Sequence, residues 1–417
     1  MILANLVLVF SFKLISRPDT VATTFDYKKS LSTVCLLVYQ KHYLGREKLA
    51  AWYKDCLKPR LKDQHLFSDA TNLRDLFVEE MKGKLAALNT SHLEIYTPQE
   101  DELTWSGQSS GDNGLRVLPI NGRFFVFKVL PDSTAAENGF RVGDQIVGLP
   151  NAFEGAMGFE GVEFSKYSGS IEILRGTTKL HFKIEALPLK VDSSPALSQL
   201  KPDIGWLQIS SFRKEYFIKS DWQSLVDSIN KYQSVIVDLR GNLGGDFGAV
   251  VRALSSFVCA DLESFGELVK PNGASTSDPD AILEEDLSED AFYSLLVGSP
   301  KVVLMRFAGT PCYKGRLTVL IDGDSASVSE IFAATVAEKL PDARVWGTRT
   351  RGDMLLGVWY PLEYVGRGYT ISIPEAVYRS DDGFQIEGRG VTPERELFYS
   401  EEKLRHGIDS WLEAATE

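Results

Sequence analysis

From Thr318 to Ala334 the chain reads TVLIDGDSASVSEIFAA. Leu317 to Ile321 forms the apolar run of a buried strand, DGDSASVS is a small, acidic and hydroxylic turn, and Glu330-Ile-Phe-Ala-Ala opens a helical pattern. A serine in such a turn stands at a helix N-terminus. There the first backbone N–H groups lack intrahelical partners and the macrodipole is positive, so an oxyanion forming beside the serine is stabilised. Ser325, Ser327 and Ser329 equally suit ordinary N-cap and turn duty, and the rest of the chain has to decide between the two readings.

With 417 residues the chain has room for two or three domains, and 44% apolar with 24% charged residues is a globular composition that excludes disorder and fibres. Lys+Arg 45 against Asp+Glu 57 leaves a net charge of −12, which argues against phosphate-backbone binding and leaves proteins or small molecules as partners. Cys35, Cys56, Cys259 and Cys312 have no CxxC spacing and no clustered histidines, so neither a metal nor a redox cofactor is expected. Cys35 and Cys56 could pair in an exported protein or remain buried thiols.

The apolar run Ile2 to Phe10 is too short to span a bilayer. It resembles the core of a signal peptide, although no Lys or Arg precedes Lys13 and no small-residue cleavage site stands out. Residues 1–23 are therefore read as a signal segment of a periplasmic or secreted protein, the alternative being a cytoplasmic one. No other stretch reaches transmembrane length.

Residues 24–100 carry helical periodicity in three segments, a small helical subdomain that ends in Asn89-Thr-Ser-His-Leu-Glu-Ile-Tyr96, where alternation begins. His92 thus sits at a helix-to-strand junction. Thr97 to Leu115 is polar and glycine-rich and reads as a loop. A compact domain, 117–187, follows with strand, turn, short helix, Gly143-Asp144 and a closing hairpin at Arg175-Gly176. The largest domain, 200–396, opens on Ile204 to Phe212 and continues through a helix, the buried strand Ser234 to Leu239 and the turn Arg240-Gly-Asn-Leu-Gly-Gly245. That glycine-rich turn is shared with nucleotide-binding folds, but no GxxxxGK[ST] accompanies it. Residues 247–258 read as a helix, 261–300 as an irregular acidic insertion, Lys301 to Arg306 as a strand and 397–417 as a C-terminal helix; strands alternating with helices mean an α/β domain.

Leu130-Pro-Asp-Ser-Thr-Ala135 and Gly139-Phe-Arg-Val-Gly143-Asp144 resemble the P-x-S-x-A and G-x-x-x-G-D signature of PDZ domains of the bacterial protease type. The resemblance implies a sheet edge that takes a peptide by strand addition, with backbone N–H groups near Gly122, Arg123, Phe124 and Phe125 receiving a terminal carboxylate. The same module could serve only as a spacer or lid.

TSHLEIYTP, the PDZ-like segment, VDLRGNLGGDFG, IDGDSASVSEIF, GTRTRGD and IEGRGVTPE occur in this order. In that order they resemble the C-terminal-processing (tail-specific) serine peptidases and their relative, the tricorn protease core. The likeness covers roughly residues 24–396. It implies a peptidase core of the Clp-protease/crotonase-like α/β type, an N-terminal helical subdomain and an inserted PDZ domain. The family nucleophile falls on Ser327, and the oxyanion donors fall on Gly244 or Gly245 together with Val328. The tail-specific branch uses a lysine base, but its T-x-G-K motif reads Thr350-Arg351-Gly352-Asp353 here, and neither Lys339 nor Lys403 stands in the family position. The tricorn-like branch supplies another set: Ser91, His92, Ser327 and Glu387. In it His92 is general base and then acid, with Ser91 and Glu387 fixing its tautomer. The expected function is a serine endopeptidase that cleaves unfolded proteins or peptide tails through an acyl-enzyme on Ser327. The alternative is a catalytically silent relative that binds peptides or apolar ligands.

Overall fold

A computed structural model describes residues 25–60, 70–148, 164–271 and 280–417. The signal-like segment 1–23 lies outside the described residues, as do 149–163 of the PDZ-like stretch. The chain divides into two compact units, each assembled from separated stretches: Met1–Asp101, Ala260–Gly309 and Gly352–Gly390 in the first, and Glu102–Cys259, Thr310–Arg351 and Val391–Glu417 in the second.

In the first unit, helices Tyr27–Lys41, Gly45–Cys56 and Ala70–Ala86 follow the apolar spacing of the sequence. Asp26 caps the first by accepting the Lys29 N–H at 3.0 Å. Leu31, Val34, Val38, Phe77, Met81 and Leu85 pack into one core with Ile95, Ile371 and Ile373 of a sheet. That sheet runs Glu94–Tyr96, Thr370–Arg379, Ser264–Val269, Lys301–Met305, Ala281–Ile282, and Leu355–Pro361 also pairs with Thr370–Arg379. The stretch read as an irregular insertion, 261–300, therefore supplies two strands and the helix Glu289–Gly298, whose N-terminus Ser288 caps. Its acidic residues hid a short strand, Ser264–Val269, that is specified by its neighbours in the sheet rather than by its own alternation.

The second unit contains two larger sheets. Leu115–Ile120, Arg123–Val129, Gln145–Gly148, Gly169–Arg175 and Thr178–Ile184 form an antiparallel sheet in that order. Ser133 caps the short helix Thr134–Glu137 by accepting the Ala136 N–H at 3.1 Å, and Asp144 pairs with Arg175 at 2.7 Å. The other sheet is parallel except for one edge, in the order Arg395–Glu396, Arg344–Gly347, Arg316–Ile321, Ser234–Asp238, Ile204–Gln208, Ala196–Lys201. Helices Lys219–Ile229, Phe247–Phe257 and Val328–Lys339 alternate with its strands. Val328–Val336 is buried all round, as a helix without a polar face must be. Thr97 to Leu115, read as a loop, forms helix Pro98–Ser106 and strand Gln108–Asp112, the latter paired with Leu187–Lys190. The expected C-terminal helix is two short ones, Glu401–Arg405 and Ser410–Ala415, split at Gly407.

Among the described residues no helix is long and apolar enough to cross a membrane. All four cysteines are paired: Cys35 with Cys56 in the first unit, Cys259 with Cys312 in the second. The first crosslink closes a loop of 21 residues between two helices, and replacing both cysteines with serine is expected to lower unfolding free energy by about 3 kcal/mol, read as a lower denaturant midpoint. An unchanged midpoint would show that the crosslink does not stabilise the helical part.

Candidate active site

Strands Ser234–Asp238 and Arg316–Ile321 are parallel neighbours, with Asp238 opposite Leu320. The chain leaves both at the same end, so the glycine loop 240–245 and the turn 322–327 emerge side by side, about 4.8 Å apart at the strand ends. Hydrogen bonds then fasten them. Gly241 N–H donates to Asp322 Oδ1 at 2.9 Å, Ala326 N–H to the Asn242 carbonyl at 2.9 Å, and Ser325 Oγ to the Leu239 carbonyl at 2.8 Å. Asn242 is fully buried; its side chain donates to the Ile209 carbonyl at 2.7 Å and accepts Gly244 N–H at 2.8 Å.

Gly244 has φ +103°, and a Cβ there would lie 2.5 Å from Ser327 Cβ and 2.9 Å from its Oγ. Only glycine lets the loop come this close to the serine. Of the three serines in the turn, Ser325 and Ser329 are fully buried, whereas Ser327 is only half-buried. Ser327 has φ 58° and ψ −131°, a backbone that costs a side-chain-bearing residue about 1–3 kcal/mol. A buried carboxylate holds it: Glu330 accepts Ser327 N–H at 3.0 Å and Thr350 Oγ1 at 2.5 Å, and Thr350 Oγ1 in turn accepts Val391 N–H at 2.7 Å. Glu330 escaped the sequence reading, although Ser327-x-x-Glu330 is the spacing of a capping box.

These bonds sort the expected oxyanion donors. Gly244 N–H is committed to Asn242, so Gly244 supplies room rather than a donor. Gly245 N–H and Val328 N–H have no acceptor among the described residues, and each belongs to the residue following one of the closely packed pair Gly244 and Ser327. The glycine loop is anchored behind by Asp238, which accepts from Arg240 Nε at 2.8 Å and NH2 at 2.6 Å, while Arg240 also reaches Tyr399 at 2.9 Å and Asp409 at 2.8 Å. Burial opposes ionisation of Asp238, but the Arg240 charge holds its carboxyl below the usual range.

In the first unit, Ser91 and His92 precede strand Glu94–Tyr96, and Glu387 lies in the loop after Thr370–Arg379. Glu387 accepts Ser91 N–H at 3.0 Å, Ser91 Oγ–H at 2.8 Å and Met354 N–H at 2.8 Å. Ser91 Oγ lies 3.0 Å from His92 Nδ1. Because the serine proton goes to the carboxylate, its oxygen is left to accept from Nδ1–H, and Nε2 keeps the lone pair. His92 has φ 58°, and a Cβ on Gly357 would lie 3.2 Å from His92 Cβ. Burial lowers the His92 pKa below its ordinary value, and the Asp353 carboxylate opposes that shift.

Neither remaining lysine can take the dyad role. Lys339 closes the helix that Ser327 starts, about 18 Å of helix rise away, and pairs with Glu338 at 3.3 Å. Lys403 pairs with Glu413. Gly122, Arg123, Phe124 and Phe125 occupy a hairpin turn and the start of Arg123–Val129, a strand laddered on one side to Leu115–Ile120 and on the other to Gln145–Gly148. An inner strand offers no free edge, and Arg123 is paired with Glu401 at 2.8 Å, so these four residues cannot take a peptide by strand addition.

Gly244→Ala is expected to reduce labelling of Ser327 by a fluorophosphonate at least about 10²-fold while leaving the circular-dichroism spectrum unchanged, because its methyl would occupy the position of the serine side chain. Labelling at the wild-type rate would overturn the packing described. Glu330→Gln is expected to cost about 1–3 kcal/mol of stability by setting an amide N–H₂ against one of two buried donors, measured by denaturant unfolding.

No curated protein sequence matches the chain. Residues 203–397 match the profile of Peptidase family S41. Solved structures share the fold at low identity. The photosystem II D1 C-terminal processing protease aligns with TM-score 0.53 at 15% identity over 89% of this chain and 93% of its own. Mature CPAF aligns with TM-score 0.56 at 15% identity over 93% and 96%. A putative S41 protease from Bacteroides fragilis aligns with TM-score 0.53 at 12% identity over 96% and 97%. The S41 match runs from strand Ile204–Gln208 through the glycine loop and Ser327 to Leu397 and so contains the serine, the loop packed on it and the two unclaimed N–H groups; together with the shared fold it makes the protein a serine-type peptidase.

Proposed function

We propose that the protein is an endopeptidase that cleaves unfolded proteins or peptide tails, with Ser327 as nucleophile and His92 as its general base. The observation that carries this reading is the Glu387–Ser91–His92 relay, which leaves the imidazole lone pair on Nε2. Nε2 would take the Ser327 proton as the hydroxyl attacks the scissile carbonyl. Gly245 N–H and Val328 N–H would hold the oxyanion, and Nε2–H would then protonate the leaving amine. Water would release the acyl-enzyme by the same route. Glu387, through Ser91, would stabilise the imidazolium, and Asp353 would add negative charge near it without serving as a base.

Tail binding is assigned to the free edge Leu115–Ile120 of the five-stranded sheet, in place of the inner strand that the PDZ resemblance suggested. The opposite edge, Thr178–Ile184, carries Lys179, His181 and Lys183, the charged pattern that blocks strand addition. Two disulfides support an oxidising compartment, periplasmic or extracellular.

Ser327→Ala should abolish casein cleavage, and His92→Ala should lower kcat/KM by at least about 10³. The acidic limb of the pH–rate profile should fall below about 6.5, because burial lowers the imidazole pKa and neutral imidazole persists to lower pH. Asp353→Asn should move that limb lower still, since it removes a charge that raises the pKa. An active His92→Ala enzyme would remove the histidine from the mechanism. A wild-type protein without serine-dependent turnover at any pH would instead support the silent peptide binder.

A further inference from the structure

The glycine loop exposes one large apolar side chain. Gly241 is held by Asp322, Asn242 is fully buried and bonded on both sides, and Gly244 packs on Ser327; between them Leu243 is 60% exposed. A single exposed leucine on a protein surface is unremarkable by itself. What distinguishes Leu243 is its address and its rigidity. Its neighbour Gly244 would place a Cβ 2.5 Å from Ser327 Cβ, and the next residue carries one of the two unclaimed N–H groups, so an acyl group bonded to Ser327 Oγ must lie beside this loop. The loop backbone is pinned by Asn242 N–H to the Leu239 carbonyl at 3.0 Å, by the Asn242 carbonyl to Ala326 and by the Gly244 carbonyl to Phe212 N–H at 2.8 Å. A leucine carried on a fixed backbone meets a ligand with little further ordering cost beyond its own rotamer. Its side chain has little part in the core of the free enzyme, so its apolar surface remains available for substrate.

We propose that Leu243 is a specificity-determining residue: it packs against the side chain of a substrate residue flanking the scissile bond and selects medium to large apolar residues there. This rests on the peptidase reading with Ser327 as nucleophile. Asp322 and Arg240, charged side chains of the turn and loop, are turned to Gly241 and to Asp238 respectively. Substituting Leu243 leaves the side-chain hydrogen bonds of the loop in place, since Asn242 and Asp322 make them.

The test is a set of fluorogenic peptides identical except for Leu, Phe, Ala, Lys or Asp on either side of one cleaved bond, assayed with wild type, Leu243→Ser and Leu243→Asp. Each rate is divided by the amount of fluorophosphonate-reactive Ser327. Wild type is expected to prefer Leu or Phe to Ala; Leu243→Ser should reduce the Leu-to-Ala ratio of kcat/KM roughly tenfold, the scale on which apolar contacts discriminate, and Leu243→Asp should shift preference towards Lys. Unchanged ratios in both variants, or ratios that change only for positions more than two residues from the cleaved bond, would overturn the assignment. A wild-type enzyme whose Ser327 does not react with the fluorophosphonate would overturn the underlying peptidase mechanism first, and this proposal with it.

Discussion

The parallel pairing of Ser234–Asp238 with Arg316–Ile321 is the constraint on which the surroundings of Ser327 depend. Parallel neighbours end on the same side of a sheet, so their following turns have to share space there. One turn is glycine-rich and the other is small and hydroxylic, which lets them approach to van der Waals contact. Antiparallel pairing would have sent the two turns to opposite ends. Strand Arg344–Gly347, parallel on the other side of Arg316–Ile321, delivers Thr350 to the same end, where it meets Glu330.

Each unit holds a strained candidate residue, and a glutamate supports each. Ser327 and His92 both have φ 58°. Glu330 takes the N–H of Ser327 at 3.0 Å, and Glu387 takes the N–H of Ser91, next to His92, at 3.0 Å. A charged acceptor on a backbone N–H gives a stronger bond than a neutral one, which is what holding an unfavourable backbone requires. The carboxylates differ in what else they do. Glu330 ties the helix start to Thr350, whereas Glu387 orients a hydroxyl and through it an imidazole.

Asp353 sets part of the electrostatics around His92 in the first unit. A buried amine that acts as base must be neutral and is helped by apolar surroundings, whereas an imidazole that becomes cationic in the reaction is helped by a nearby carboxylate. Asp353 raises the His92 pKa against the effect of burial, in the direction that favours imidazolium.

Several elements could be read directly from the residues. The helices of 24–90, Phe247–Phe257, the strands at 234–238 and 316–321 and the serine turn announce themselves through periodicity, caps and small residues, all of which act within a few residues along the chain. Strands Ser264–Val269 and Gln108–Asp112 were read as loop because their partners lie far away in sequence and their own composition is polar. Gly244 illustrates the same limit at the level of the site. Its lack of a side chain was legible, yet whether it donates its N–H or merely makes room depends on Asn242 Oδ1, whose position is set by burial against Ile209. Gly122 to Phe125 show the same limit, since an edge is a property of the whole sheet and Arg123–Val129 lies inside it. By itself the sequence supplied the serine turn, the glycine loop and the order of motifs, and it was the resemblance carried by that order that singled out Ser327, Ser91, His92 and Glu387 as candidates, because side-chain type and motif order are legible along the chain. Only the tertiary structure decided which N–H groups remain unclaimed, which serine is reachable and which nitrogen of His92 is bare, because each depends on hydrogen bonds between residues brought together by sheet pairing across tens to hundreds of positions.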